Sequence, residues 1–323
     1  MTLLKPTRRD LLKMAAAAPA FALPAAAARA ELGAPQGGNP SHFSFSVGDA
    51  RLTVVSDGYF RLPTDGLGVN ADPAEVQAFL ERHFLSPEMG YSHTNHLYVE
   101  IGDAKVLVDV GSGSRFMAET AGRLMGNLER AGIDPSGITH VVITHAHPDH
   151  IWGIIDDFEE PILPDAEHLM GEAEHAFWMQ DGLVNQVEPD MQQFVVGAVN
   201  SIETEGVEWT LVQDGHEVVP GLTMFDTPGH TPGHMSLRVD SGDRSLIALG
   251  DSMSHAYTNF AHPDWYNGFD ADGAQTVATR KRLLDMAAED RIAVLGYHFP
   301  FPGVGHVQRE GDAYRFIPSL WQF

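Results

Sequence analysis

Residues 143–150 read ITHAHPDH and close the apolar run Ile138-Thr139-His140-Val141-Val142-Ile143. Three histidines and an aspartate therefore fall within positions 145–150, at the end of a β-type segment. His145 and His147 stand two residues apart, a spacing that an extended chain can turn toward one cation. Asp149 and His150 follow on a loop that can face a second. A helical H-E-x-x-H site would need four-residue spacing instead.

More metal-ligating side chains appear downstream at strand-to-loop junctions. Asp226-Thr227-Pro228-Gly229-His230-Thr231-Pro232-Gly233-His234 is a Gly/Pro-fixed loop that presents a histidine. Leu249-Gly250-Asp251 ends a strand in a carboxylate, and Gly296-Tyr297-His298 ends another in a histidine. The chain has no cysteine, which excludes thiolate metal sites, disulfides and a cysteine nucleophile. Histidine and carboxylate must do the chemistry. That donor set suits Zn²⁺ best, with Mn²⁺, Fe²⁺ or Co²⁺ also acceptable.

The ordered motifs HAHPDH, TPGHTPGH, LGD and GYH resemble those of the metallo-β-lactamase-fold hydrolase superfamily, from about Ser44 to near the C-terminus. With the tail PFPGVGHVQREGDAYRFIP, the set looks like the exported binuclear branch that includes methyl parathion hydrolase and related lactonases or arylesterases. The resemblance implies an α/β (α+β) fold, an αββα sandwich of two mixed β-sheets with helices on the outer faces. It implies two divalent metal ions, one held by His145, His147 and His230, the other by Asp149, His150 and His298, with Asp251 bridging. Asp109 would orient a ligand imidazole, and His234 would be a supporting residue. A hydroxide bridging the metals would attack a carbonyl or phosphoryl centre. Asp251 would orient the hydroxide, and Asp149 is the candidate leaving-group acid.

Aromatics near Phe116 and Trp178 line the entrance in organophosphate-hydrolysing relatives, with Phe194, Trp265 and Tyr266 as further candidates. Such a rim favours neutral, hydrophobic small-molecule substrates, lactones or esters first and phosphotriesters by promiscuity. A metallo-β-lactamase or a thioester hydrolase is the enzymatic alternative. A periplasmic protein that only stores or senses metal is the alternative of another class.

Residues 1–30 read as an export signal: Lys5, Arg8, Arg9 and Lys13, an alanine-rich apolar stretch, then Ala28-Arg29-Ala30 as a cleavage site. Arg8-Arg9 within TRRDLLK resembles the twin-arginine signal, which implies the twin-arginine export machinery as partner and a periplasmic or secreted, pre-folded protein. No stable membrane association is expected after cleavage. Residues 31–41 look like a flexible leader, and 42–323 like a single hydrolase domain. The formal charge of −24 disfavours nucleic acid as partner or substrate.

The same pattern predicts strands at 51–56, 97–101, 105–110, 139–143, 235–239, 245–249 and 291–295. Helices are expected after Asp72-Pro73, over Phe116–Ala131, Ala166–Gln180 and Met191–Ile202, and from Asp272 to about Glu289.

Overall fold

Two-residue alternation of apolar side chains along successive segments builds two seven-stranded sheets, seen in a computed structural model that describes residues 39–320. Arg8, Arg9, the rest of the expected export signal and the expected leader up to residue 38 lie outside the described residues. The first sheet runs in chain order: β1 (His42–Val47), β2 (Ala50–Pro63), β3 (Met89–Ile101), β4 (Ala104–Val108), β5 (His140–Ile143), β6 (Glu167–Gly171) and β7 (Trp209–Val212). It is antiparallel as far as β4 and parallel from β4 to β7.

The second sheet also follows the chain: β8 (His216–Val219), β9 (Leu222–Asp226), β10 (Met235–Ser241), β11 (Arg244–Ala248), β12 (Ala293–Leu295), β13 (Val304–Glu310) and β14 (Ala313–Pro318). Its one parallel pair is β11 with β12; the rest are antiparallel.

The alternation decides what each face meets. Val106, Val108 and Val142 point between the sheets, where they join Leu237, Val239, Leu246 and Leu295 in one core. Leu107, Val141 and Ile143 point the other way, onto helices. These are α2 (Leu124–Arg130), α3 (Pro148–Ile151), α4 (Glu172–Trp178) and α5 (Pro189–Ile202), numbered after α1 (Pro73–Arg82). On the second sheet, Ile247, Leu249 and Val294 meet α6 (Thr258–Ala261) and α7 (Gly273–Glu289) through Phe260, Leu283 and Leu284. Helix, sheet, sheet, helix is the resulting order, the expected αββα sandwich.

Local chemistry sets the helix starts. Asp72 caps α1 by accepting the Ala74 N–H at 2.9 Å with Pro73 at N1, and Asp272 caps α7 through the Gln275 N–H at 2.9 Å. Among the described residues no helix is long and apolar enough to cross a membrane.

Two expected helices differ. Residues 167–171 form β6 rather than the start of a helix, because Leu169 enters the inter-sheet core while Met170 faces the helices, an alternation satisfied only in a strand paired with β5 and β7. The helix expected from Phe116 begins only at Leu124. The buried Asp57 takes the N–H groups of Gly122 at 3.1 Å and Leu124 at 2.7 Å, and Gly122 has φ +76°, so the chain preceding α2 is held in a turn.

Candidate metal centre

Four strand ends on one edge of the sandwich deliver the motif residues. β5 leads into His145, Ala146 and His147, and His147 is the N-cap residue of α3, which carries Asp149 and His150. These last two sit on a helical turn, not on the loop expected. β9 leads into the loop bearing His230, β11 into the turn Gly250–Ser252 bearing Asp251, and β12 into His298. Gly229 is required where it stands: with φ +134°, an added Cβ would lie 2.3 Å from the Thr276 backbone nitrogen in the first turn of α7.

All seven expected ligand side chains come together, six buried and His298 nearly so. His147 Nδ1 lies 3.1 Å from His145 Nε2 and 2.9 Å from His230 Nε2. Asp149 Oδ2 lies 3.4 Å from both His150 Nε2 and His298 Nε2. Asp251 stands between the two groups, its Oδ2 3.4 Å from His230 and 3.0 Å from His298, its Oδ1 3.5 Å from His150. The ligand atoms of His145/His147/His230, of Asp149/His150/His298 and of His145/His150/Asp251 each fall within 4.8 Å of one another.

The donor set fits divalent cations. Asp149 Oδ2, His150 Nε2 and Asp251 Oδ1 are buried without a hydrogen-bond partner, yet they converge on one another. Buried polar atoms left so are costly, about 1–3 kcal/mol each, unless something outside the chain satisfies them.

Outer contacts aim the rings. Asp109 Oδ2 accepts from His150 Nδ1 at 2.8 Å, which turns Nε2 inward, and the carboxylate is itself held by the Thr144 N–H at 2.8 Å and hydroxyl at 2.9 Å. Asp270 Oδ1 plays the same part for His230 Nδ1 at 3.0 Å, and the His93 carbonyl for His298 Nδ1 at 2.8 Å. His234 supports Asp251: its Nε2 accepts the Asp251 N–H at 3.0 Å, and its Nδ1 donates to the Thr227 carbonyl at 3.1 Å. Burial pushes His234 down to about 3, which keeps the ring neutral in that role.

Electrostatics divide the histidines. Burial and neighbouring imidazoles lower His145 and His147 well below the usual histidine range. Burial also opposes charge on His150 and His298, but carboxylates win: Asp149, Asp109 and Asp251 raise the first, Asp251 and Asp149 the second. Asp251 is held well below the carboxylate range, burial being outweighed by His298, His150 and His230. Asp149 is also lowered, chiefly by His150 against the effect of burial, which suits a ligand and works against a proton-carrying leaving-group acid.

Residues 89–298 match the family model described as the metallo-beta-lactamase superfamily. The chain belongs to that superfamily. An N-acyl homoserine lactonase from Bacillus sp. is 26% identical over 176 residues, 54% of this chain and 62% of that relative. A probable metallo-hydrolase of Mycobacterium tuberculosis is 30% identical over 186 residues, 50% of this chain and 57% of that protein. The chain thus spans about three-fifths of the length of the curated relatives it matches. Among solved structures, the dizinc quorum-quenching lactonase AidC, in complex with its product, superposes with TM-score 0.77 at 24% identity, covering 88% of this chain and 99% of that one. The hydrolase AbOPH gives 0.80 at 22%, with the same coverages. Identities this low speak for the fold.

In this member of the metallo-β-lactamase superfamily a cleft of about 330 Å³ opens above the cluster, with His147, Asp149, His230, Asp251 and His298 on its floor. Phe116 and Phe194 line it as expected, and Phe116 meets Phe60, Trp152 and Phe194 edge to face at 5.3, 5.7 and 5.9 Å. Trp178 does not line it. That indole is buried behind His147 at 5.7 Å, with its Nε1–H donated to Glu174 Oε1 at 2.6 Å. Trp265 is likewise core, packed with Val76, Phe79 and Leu80.

Asp270 and Glu174 escaped the sequence reading. Asp270 follows Phe269 in an unpatterned loop and offers no spacing to recognise. Glu174 sits in the segment read as one continuous helix, where a glutamate looks like ordinary solvated surface; only the strand-to-helix break at Gly171 would have placed it inward.

Proposed function

We propose that this protein is a dinuclear metal-dependent hydrolase of neutral, hydrophobic lactones or esters. His145, His147 and His230 would hold one ion and Asp149, His150 and His298 the other, with Asp251 reaching both. Zn²⁺ is the ion the nitrogen and carboxylate donors favour. When bound, such a pair supplies a water-derived nucleophile at neutral pH and the charge that polarises a carbonyl or phosphoryl oxygen. The chain's own part is orientation and exclusion: Asp109, Asp270 and the His93 carbonyl fix three imidazoles, and Phe60, Phe116 and Phe194 keep bulk water from the reacting group.

The observation that carries the substrate class is the charge of the cleft. No lysine or arginine is among its lining residues, while two carboxylates lie on its floor. An anionic β-lactam or a phosphate-bearing thioester would find no counter-charge beyond the metals, whereas a neutral lactone or aryl ester needs none. The lactonase relatives and the dizinc lactonase neighbour support the same choice. A neutral phosphotriester also meets these requirements, so we assign that activity as a side reaction.

The test is a parallel assay of metal-loaded protein on an N-acyl homoserine lactone, an aryl ester, a phosphotriester and a β-lactam. We expect the lactone or ester to give the highest kcat/KM. A preference for β-lactam would overturn the assignment, and binding of metal without turnover of any of the four would leave a storage or sensing protein.

We further propose export in folded form by the twin-arginine machinery to the periplasm or medium, on the strength of Arg8, Arg9 and the Ala28-Arg29-Ala30 site. Replacing both arginines by lysine in the full chain should strand the protein in the cytoplasm. Unchanged export of that variant would contradict the proposal.

A further inference from the structure

Asp57 is the extra residue of a β-bulge in β2, where pairing with β3 steps from Ser56–Asn95 to Gly58–Thr94. Its carboxylate is buried, and four donors converge on it. Oδ2 accepts the Ser112 N–H at 3.2 Å, the Ser112 hydroxyl at 2.9 Å and the Gly122 N–H at 3.1 Å, while Oδ1 accepts the Leu124 N–H at 2.7 Å. The bulge backbone adds two ties: the Arg123 N–H donates to the Asp57 carbonyl, and the Tyr59 N–H to the Thr120 carbonyl, both at 3.1 Å. One carboxylate thus gathers donors from both ends of the segment that joins β4 to α2.

Those ends meet. Gly122 has φ +76°, and an added Cβ there would lie 2.1 Å from the Gly113 carbonyl oxygen. Residues 113–122 are therefore an Ω-shaped loop with a closed neck. Midway along it, Phe116 and Met117 line the cleft, and Met117 holds φ +48°, which a residue other than glycine adopts only where its surroundings impose it. Further ties, from the Ser114 hydroxyl to Asp157 and from the Arg115 guanidinium to the Asp156 carbonyl, are solvent-exposed and correspondingly weak. A loop without helix or strand holds a cleft-lining side chain only as well as its ends are fixed.

We propose that Asp57 is a positioning residue for substrate selection. By closing the neck it holds Phe116 and Met117 ready for the bulky apolar part of a substrate, away from the bond that breaks. This rests on the hydrolase reading above and adds to it a residue that acts from outside the cleft. A wall ordered before binding spares the substrate the cost of ordering it, so the clamp acts on KM for large substrates and leaves small ones alone.

The experiment compares p-nitrophenyl octanoate with p-nitrophenyl acetate on metal-loaded wild type, Asp57→Asn and Gly122→Ala, each also combined with Phe116→Ala. Asparagine keeps the size of Asp57 but sets an amide N–H₂ against a donor. Gly122→Ala pries the neck apart with the carboxylate intact, and carries the test if Asp57→Asn does not fold. In each single variant KM for the octanoate should rise roughly three- to tenfold, with kcat and the acetate KM within about twofold of wild type and metal content unchanged. On top of Phe116→Ala neither change should raise KM further, because both act through that ring. Trypsin should cut after the exposed Arg115 faster than in wild type. Equal factors for the two esters, a full additional rise on Phe116→Ala, or a wild-type rate of cleavage would make Asp57 merely structural and overturn the proposal. Wild type that hydrolyses neither ester would overturn the hydrolase reading and the selection role together; an active wild type with equal factors in the variants would overturn the role of Asp57 alone.

Discussion

Glu174 Oε1 accepts the backbone N–H of Ala146 at 2.9 Å, between the two histidines of the HAH motif. The other oxygen of the same carboxylate takes the Thr231 hydroxyl at 2.6 Å and the Gly233 N–H at 3.2 Å, just past His230. One fully buried side chain on α4 therefore ties the loop after β5 to the loop after β9, and with them the three histidines assigned to one ion.

Glu174→Gln keeps the size of that anchor but turns a donor toward groups that also donate. By analogy with other residues that orient ligands, we expect a 10- to 100-fold loss of affinity at the His145/His147/His230 site. Competition with a chromogenic chelator would measure it. Wild-type affinity in this variant would reduce Glu174 to a packing role.

Proton competition should separate the two sites. His150 and His298 hold their protons more tightly than an ordinary histidine, and each must lose one before it can ligate; His145 and His147 are already neutral. Affinity at the Asp149/His150/His298 site should therefore rise with pH through and above 6.5, the usual histidine value, and that ion should leave first on acidification. The linked effect on the metal-free fold has the opposite sense: raised folded-state values contribute stability that is full below 6.5 and lost as pH rises through them. Metal counts after dialysis at pH 6 and pH 8 test this, and simultaneous loss of both ions at pH 6 would count against it.

Gly250 has φ +52°, and a Cβ there would lie 2.5 Å from His234 Nε2, the atom that accepts the Asp251 N–H. Gly250→Ala should cost about 1–3 kcal/mol from backbone conformation alone. It should also displace the Asp251 turn, lowering metal content along with the thermal midpoint. A variant with a lower midpoint and full metal content would show that His234 does not position Asp251.

Phe116 and Trp178 should respond differently to truncation. Phe116→Ala opens the cleft and removes edge-to-face contacts to Phe60 and Phe194, so KM for long-chain substrates should rise roughly three- to tenfold. Trp178→Phe removes the indole donor to Glu174 from behind His147, and should lower stability with little effect on chain-length preference. Chain-length profiles and melting curves on both variants distinguish these roles.

The ligand motifs were legible because they follow strand ends and carry glycine or proline, as in Thr227-Pro228-Gly229-His230 and Leu249-Gly250-Asp251, while the assignment of their residues to two metals came from the family resemblance. Alternation at Val106–Val108 and Val141–Ile143 made strands legible, whereas the αββα layering came from the family resemblance. What stayed hidden depends on tertiary contact. β6 looked helical because five residues are too few for periodicity to separate strand from helix. Asp57, Glu174 and Asp270 act through backbone groups and rings far away in the chain, which no local pattern records.

The most direct test of a two-ion centre shared through Asp251 is elemental analysis of wild type and Asp251→Ala, purified identically, with lactone turnover measured on the same samples. The account predicts two equivalents of metal in wild type, and at least one lost in the variant together with nearly all activity, while the fold persists. Wild type that holds a single ion, or a variant that keeps both ions and its turnover, would contradict it.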